Sequence, residues 1–201
     1  MNISGGIDRN LLVVVLSVSV LGGCSLFEPR DPEQPSQSSS DFLPPTAPDI
    51  VITNLRNSIA QKNVQNYVSC FADPSRSGQS YTFVPSADAA ALFPSVLNSW
   101  TYAEEQVYMT NLVAKAVPNG FANLLLTAAT TQVFADSVIY SADYLLTFQH
   151  TEAGFPSTAR GHLQFAIGVD NSNQQWSIYR WVDLKTTEDI TWSSFKGRFS
   201  N

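Results

Sequence analysis

Cys24 stands at the end of an apolar run, Leu11 to Val20, closed by Leu21-Gly22-Gly23. A thiolate is the side-chain nucleophile able to form a stable thioether with a carbon electrophile, and serine would not substitute. The two glycines before it offer a narrow, extendable backbone that a peptidase cleft accepts. The run is shorter than the about 20 residues that a membrane-spanning helix takes, and its length and small-residue exit fit a cleaved export signal over residues 1–23. Cleavage there makes Cys24 the new N-terminus. The leading segment sets Arg9 and the amino terminus against Asp8. That is a weak positive charge for such a signal, and a different start codon would explain it.

This segment resembles the lipobox of bacterial lipoproteins, in which a small residue precedes a cysteine that receives a diacylglyceryl group before cleavage. The resemblance implies a diacylglyceryl cysteine carrying palmitate-type chains at Cys24. Each buried methylene contributes about 0.8 kcal/mol, and one chain alone holds a protein on a membrane only marginally, whereas two or three hold it firmly. The expected partner is therefore the membrane and the expected address the bacterial cell envelope. Ser25, rather than an aspartate, follows the cysteine, which resembles the outer-membrane sorting pattern of double-membrane bacteria.

The remaining reactive side chains are sparse. The chain has two cysteines and two histidines, His150 and His162. With Cys24 acylated, Cys70 has no partner for a disulfide. Nothing nearby marks it as an activated thiol, so it reads as a small buried residue. No Cys/His cluster has zinc-ligand spacing, and no glycine-rich strand-to-helix turn cradles a phosphate, so no metal or cofactor is expected. The formal charge is -6, and it stays there when the signal removes Asp8 and Arg9 together. Phosphate-backbone binding needs clustered Lys and Arg, so nucleic acid is not expected as a partner.

Residues 24–48 carry Pro29, Pro32, Pro35, Pro44, Pro45, Pro48 and the polar run Ser36 to Ser40. They have little to bury and read as an extended or disordered tether, spanning on the order of 25 to 30 Å. Residues 49–201 are one domain's worth of chain. Val51, Leu55 and Ile59 recur at helical spacing behind Pro48, and Asn63 can cap a second helix carrying Val64, Tyr67, Val68 and Phe71. A strand over 81–84, a helix over 86–93 and a helix beginning at the capping box Thr101-Tyr102-Ala103-Glu104 follow. That box makes Glu104 a helix-start carboxylate rather than a catalytic acid.

Beyond Pro118-Asn119-Gly120 the period becomes two. Phe121 to Phe134, then Val138 to Phe148, then Leu163 to Val169, and finally Trp176 to Lys185 read as an antiparallel meander. Helices first and a long meander after argue an α+β fold, with helices packed on one sheet face.

The domain resembles the NTF2-like superfamily, on Pro48-Asp49, Leu55, Ile59, Ala60, Lys62-Asn63, Tyr67 and Phe71, and on the late strand Trp176-Ser177-Ile178-Tyr179-Arg180-Trp181-Val182-Asp183. The late strand with Thr191-Trp192-Ser193 looks like its uncharacterised lipoprotein branch. The resemblance implies a cone-shaped domain, a strongly curved sheet around N-terminal helices, whose open end holds a small apolar ligand or is filled by side chains. It also implies that members are isomerases, dehydratases, epoxide hydrolases or binding and accessory domains, and fold alone does not choose among them.

Enzymes of this type place a carboxylate with Tyr or His inside the cone. Asp183 shares strand parity with Tyr179 and Trp181 and is the better carboxylate candidate, although Lys185 beside it offers an ion pair instead. Asp143 falls on the less apolar parity and reads as solvated. His150 follows the parity of Phe148 but ends its strand before a loop, and His162 lies with Arg160 and Gln164 towards water. Tyr67 and Tyr140 are the candidate hydrogen-bond donors to a base at Asp183 or His150. No Ser or Cys nucleophile stands in a triad context. The leading expectation is a noncatalytic, membrane-anchored binding or accessory domain for a small apolar ligand or an envelope protein. The alternative is a small-hydrophobe isomerase, dehydratase or hydrolase, and homodimer formation through the sheet face is a third expectation.

Overall fold

The computed structural model describes residues 42–200 except 77, 171, 172 and 188. The expected signal, Cys24 and the tether up to residue 41 lie outside the described residues.

The chain before the first helix is already held by the domain. Asn54, itself buried, accepts from Leu43 N at 2.9 Å and donates to Leu43 O at 2.7 Å, while Trp176 N donates to Pro45 O at 2.7 Å. Residues 42–47, proline-rich by composition, are thus bound rather than free. Helix α1, Pro48–Ala60, starts with proline in its first turn, where no intrahelical N–H is needed, and buries Val51, Ile52, Leu55 and Ile59.

Helix α2, Val64–Val68, is capped by Asn63, whose side chain accepts from Asn66 N. It stops short of Phe71 because the backbone there is used elsewhere. Ala72 N donates to Ile178 O, and Ile178 N donates to Cys70 O. The short strand β1, Thr82–Val84, continues this association. It pairs in parallel with the last strand, a long-range contact that no local pattern announces.

Helices α3, Ala87–Leu92, and α4, Pro94–Leu97, break where Pro94 begins a new turn. Helix α5, Tyr102–Ala114, carries the capping box at Thr101 and Glu104 and buries Glu105, Tyr108, Met109 and Leu112, a stripe at i, i+3, i+4 and i+7.

Strands β2, Ala122–Val133, β3, Ser137–Phe148, β4, Thr158–Asp170, and β5, Gln175–Leu184, form the antiparallel meander, and the sheet order is β1-β5-β4-β3-β2. Alternation places Val138, Ala142, Tyr144, Leu146 and Phe148 on the buried face, with Leu163, Phe165 and Ile167 beside them. Register shifts at Thr127/Thr130 and Ala166/Ile167 mark bulges, which bend and twist a sheet. The second inserts Tyr179 into β5 and changes its parity. Ile178, Trp181 and Asp183 are buried while Tyr179 is only half-buried, so Tyr179 does not share the inward face of Asp183.

Helix α6, Trp192–Phe199, closes the domain and buries seven residues, among them Trp192, Phe195, Lys196 and Phe199. Gly197 lies so close to Phe93 that a Cβ there would stand 2.4 Å from the ring.

Candidate functional site

The most concentrated polar chemistry of the described residues lies inside the cone. Lys196, on α6, and Glu105, on α5, are both fully buried, and Lys196 Nζ is 2.6 Å from Oε1 and 2.5 Å from Oε2. Tyr67 OH donates to Glu105 Oε1 at 2.5 Å, Tyr81 OH to Oε2 at 3.0 Å, and Trp100 Nε1 to Oε2 at 2.6 Å. The carboxylate therefore accepts from four side chains. Around the ammonium stand aromatic faces, Trp181 at 3.8 Å and Phe83 at 4.0 Å from the ring centroids, close enough for cation–π attraction.

Burial pulls the Lys196 ammonium down to about 8, against the opposing pull of Glu105 and then of Asp183. Burial first, and the Glu105 charge second, hold the phenols of Tyr67 and Tyr81 well above their ordinary value. A general base must reach a substrate proton. Here each oxygen of Glu105 is committed to donors of the chain itself, among them Lys196 of α6.

Asp183 forms a second buried centre. Its Oδ2 accepts from Ser193 N at 2.7 Å and Ser193 Oγ at 2.5 Å, and its Oδ1 accepts from Tyr144 OH at 2.8 Å. Tyr144 OH in turn accepts from Trp192 N at 2.7 Å. The pair thus satisfies the first amide donors of α6, supplying from β5 and β3 the partners that a helix N-terminus lacks. Burial raises the Asp183 carboxyl above its usual range, opposed by the Ser193 and Tyr144 bonds. Lys185 does not pair with it. It reaches Asp88 at 3.1 Å instead.

The other sequence candidates are dispersed. His150 is buried against Phe155, Phe195 and Phe199. Its Nδ1 accepts from Glu152 N, so Nε2 carries the proton and donates to Pro156 O at 3.1 Å, and both ring nitrogens serve the loop. Asp143 is exposed and meets His162 Nδ1 at 2.8 Å across the β3–β4 pair. Cys70 is buried in the turn after α2, its thiol pushed up by that burial. Tyr67 joins the Glu105 centre, whereas Tyr140 stands half-buried on β3. Tyr67, Tyr140, Asp183 and His150 therefore do not form one constellation.

Tyr140 instead lines a cleft of about 590 Å³ between α1 and the β2–β3 hairpin, with Ile52, Thr53, Val133, Val138 and Trp176. That volume is in the range of small-molecule sites, roughly 300–1,000 Å³. Its walls are mostly apolar, and Glu105, Lys196 and Asp183 take no part in it.

This architecture has counterparts among solved structures. An NTF2-like superfamily protein from Salmonella enterica is 13% identical over 69% of this chain and 87% of its own, with a TM-score of 0.50. The fold is NTF2-like. A provisionally assigned scytalone dehydratase from Novosphingobium aromaticivorans shares it at 7% identity over 69% of this chain and 81% of its own, TM-score 0.52. A provisionally assigned aromatic ring hydroxylase from the same organism does so at 11% identity, covering 69% and 86%, TM-score 0.50. At such identities the NTF2-like likeness is one of fold alone. No family model matches the chain, and no curated protein is similar to it in sequence.

Proposed function

We propose that this chain is a lipid-anchored cell-envelope protein whose NTF2-like domain binds a small apolar ligand without transforming it. One observation carries the noncatalytic part: the centre of the cone is occupied by Lys196 of the chain's own C-terminal helix, seated on Glu105. A carboxylate with tyrosines around it is the chemistry an NTF2-like enzyme would use, but here every partner is internal. Contact with a ligand falls to the apolar cleft beside α1.

The anchor reading rests on Leu21-Gly22-Gly23-Cys24 and on Ser25 after it, which fits an outer-membrane address where two membranes exist. The cleft lies where the chain enters the domain, since Pro48 and Asp49 stand on its rim. A tether from Cys24 would act as a spacer that holds the domain clear of the lipid headgroups.

Two measurements test this reading. Intact-mass spectrometry of protein extracted from its native membrane is expected to show a diacylglyceryl or triacyl mass on a chain beginning at Cys24, and an unacylated chain overturns the anchor. Assay of small ester, epoxide and ketosteroid substrates is expected to give no product. Turnover that disappears in Asp183→Asn would make the domain an enzyme.

A further inference from the structure

Helix α1 and strand β2 are joined at one end and part at the other. Arg56 Nε donates to Leu124 O at 3.3 Å and Lys62 Nζ donates to Gly120 O at 2.5 Å, which ties the second half of α1 to the start of β2. At Thr127/Thr130 the strand is bulged, with Ala128 at φ 50. Beyond the bulge, Thr131 and Val133 form one wall of the cleft, and Ile52 and Thr53 form the other.

The two ends of this space differ in charge. Ala116 to Ala135 contains no ionisable residue, so the β2 wall is neutral throughout. Arg56 lies one helical turn beyond Ile52, on the same face of α1, exposed and outside the residues that line the cleft. Its terminal guanidinium nitrogens have no partner among the described residues. Tyr140, within the cleft, feels the Arg56 charge, which opposes the upward pull of burial on its phenol. At the outer end stand Asp49, on the rim, and Asp136, in the hairpin turn, both exposed. A mouth flanked by carboxylates is repelled by anionic headgroups and does not suit flat docking on a bilayer.

We propose that the cleft between α1 and the β2–β3 hairpin binds one molecule of a free fatty acid, its carboxylate on the Arg56 guanidinium and its hydrocarbon along Ile52, Tyr140, Val138 and Trp176. The inference rests on the cleft being the ligand surface of the domain. It adds to that reading the class of ligand and the residue that selects it. The neutral β2 wall offers no partner for a second charge, and the terminal nitrogens of Arg56 match a carboxylate.

Trp176 supplies the readout, because Trp100, Trp181 and Trp192 are buried in the core and Trp176 is part of the cleft wall. The experiment uses the full chain with Cys24→Ser, and measures tryptophan quenching by 12-doxylstearic acid, by its methyl ester, and by phosphatidylcholine vesicles carrying the doxyl chain. The acid is expected to quench saturably, with the signal lost in Trp176→Phe and binding lost in Ile52→Asp. Arg56→Gln is expected to weaken the acid about three- to tenfold and to leave the ester unchanged. Equal binding of acid and ester, unmoved by Arg56→Gln, overturns the fatty-acid assignment while the cleft remains a ligand site. Quenching by vesicles alone overturns it in favour of bilayer docking. Absence of quenching by acid and ester alike removes both this inference and the cleft reading beneath it.

Discussion

The Lys196 ammonium bridges both oxygens of Glu105 in a space with no solvent access, and the Trp181 ring lies 3.8 Å from the same nitrogen. A pair so placed gains little net stability over an apolar substitute, because two ions have been taken out of water. Removing one partner alone is a different matter. It strands the other charge in an aromatic core.

Lys196→Met is therefore expected to destabilise the protein by about 3–5 kcal/mol. Adding Glu105→Gln should recover part of that loss, since a neutral amide oxygen still accepts from Tyr67, Tyr81 or Trp100. Urea unfolding of both single variants and the double variant measures the coupling. Strict additivity would mean the two groups do not interact.

The pair also fixes a pH dependence. Lys196 titrates at about 8 in the folded protein against about 10.4 when unfolded. Between those values the unfolded chain binds more protons, so the Lys196 contribution to stability is smallest below about pH 8 and grows as pH rises towards about 10.4. The difference in unfolding free energy between wild type and Lys196→Met should widen over that window. Tyrosines that ionise above pH 10 are common to both proteins and cancel to first order. A constant difference would show that burial does not depress this amine.

Gly197 tests how tightly α6 is seated. Alanine normally favours a helix over glycine by about 1 kcal/mol. Here its Cβ would meet Phe93 Cδ2 at 2.4 Å and Cγ at 2.5 Å, and overpacking of that kind costs roughly 1–3 kcal/mol. Gly197→Ala should thus lower the melting temperature, and Phe93→Leu in the same chain should restore part of it. A stabilised Gly197→Ala protein would show that α6 stands away from Phe93.

The meander was legible because strand parity is strict. Val138, Ala142, Tyr144, Leu146 and Phe148, with Leu163, Phe165 and Ile167, lie on the buried face that alternation assigns them, and only Tyr140 of that parity is half-buried. What escaped is non-local or disguised. The β1–β5 pairing joins residues about a hundred positions apart, and the Tyr179 insertion breaks the parity on which the Tyr179–Asp183 comparison rested.

The buried ion pair escaped for a chemical reason. Lys196 lies in Trp192-Ser193-Ser194-Phe195-Lys196-Gly197-Arg198-Phe199, where a lysine beside arginine and glycine reads as surface. Glu105 stood behind Glu104, whose capping role accounted for the acidic pair. A signal was present. Glu105, Tyr108, Met109 and Leu112 fall on one helix stripe, and a carboxylate in an apolar stripe calls for a cation elsewhere in the core.

The accessibility of Lys196 tests the filled cone most directly. Reductive methylation of the folded protein near pH 8, followed by peptide mass analysis, compares it with Lys62, Lys115 and Lys185. An amine pulled down to about 8 by burial is deprotonated more often there than an ordinary lysine and would be the fastest of the four to react if reagent reached it. The predicted result is modification of the other three lysines with Lys196 untouched until the protein is unfolded. Rapid methylation of Lys196 in the folded protein would show that the cone opens and that its carboxylate and tyrosines are available to a ligand.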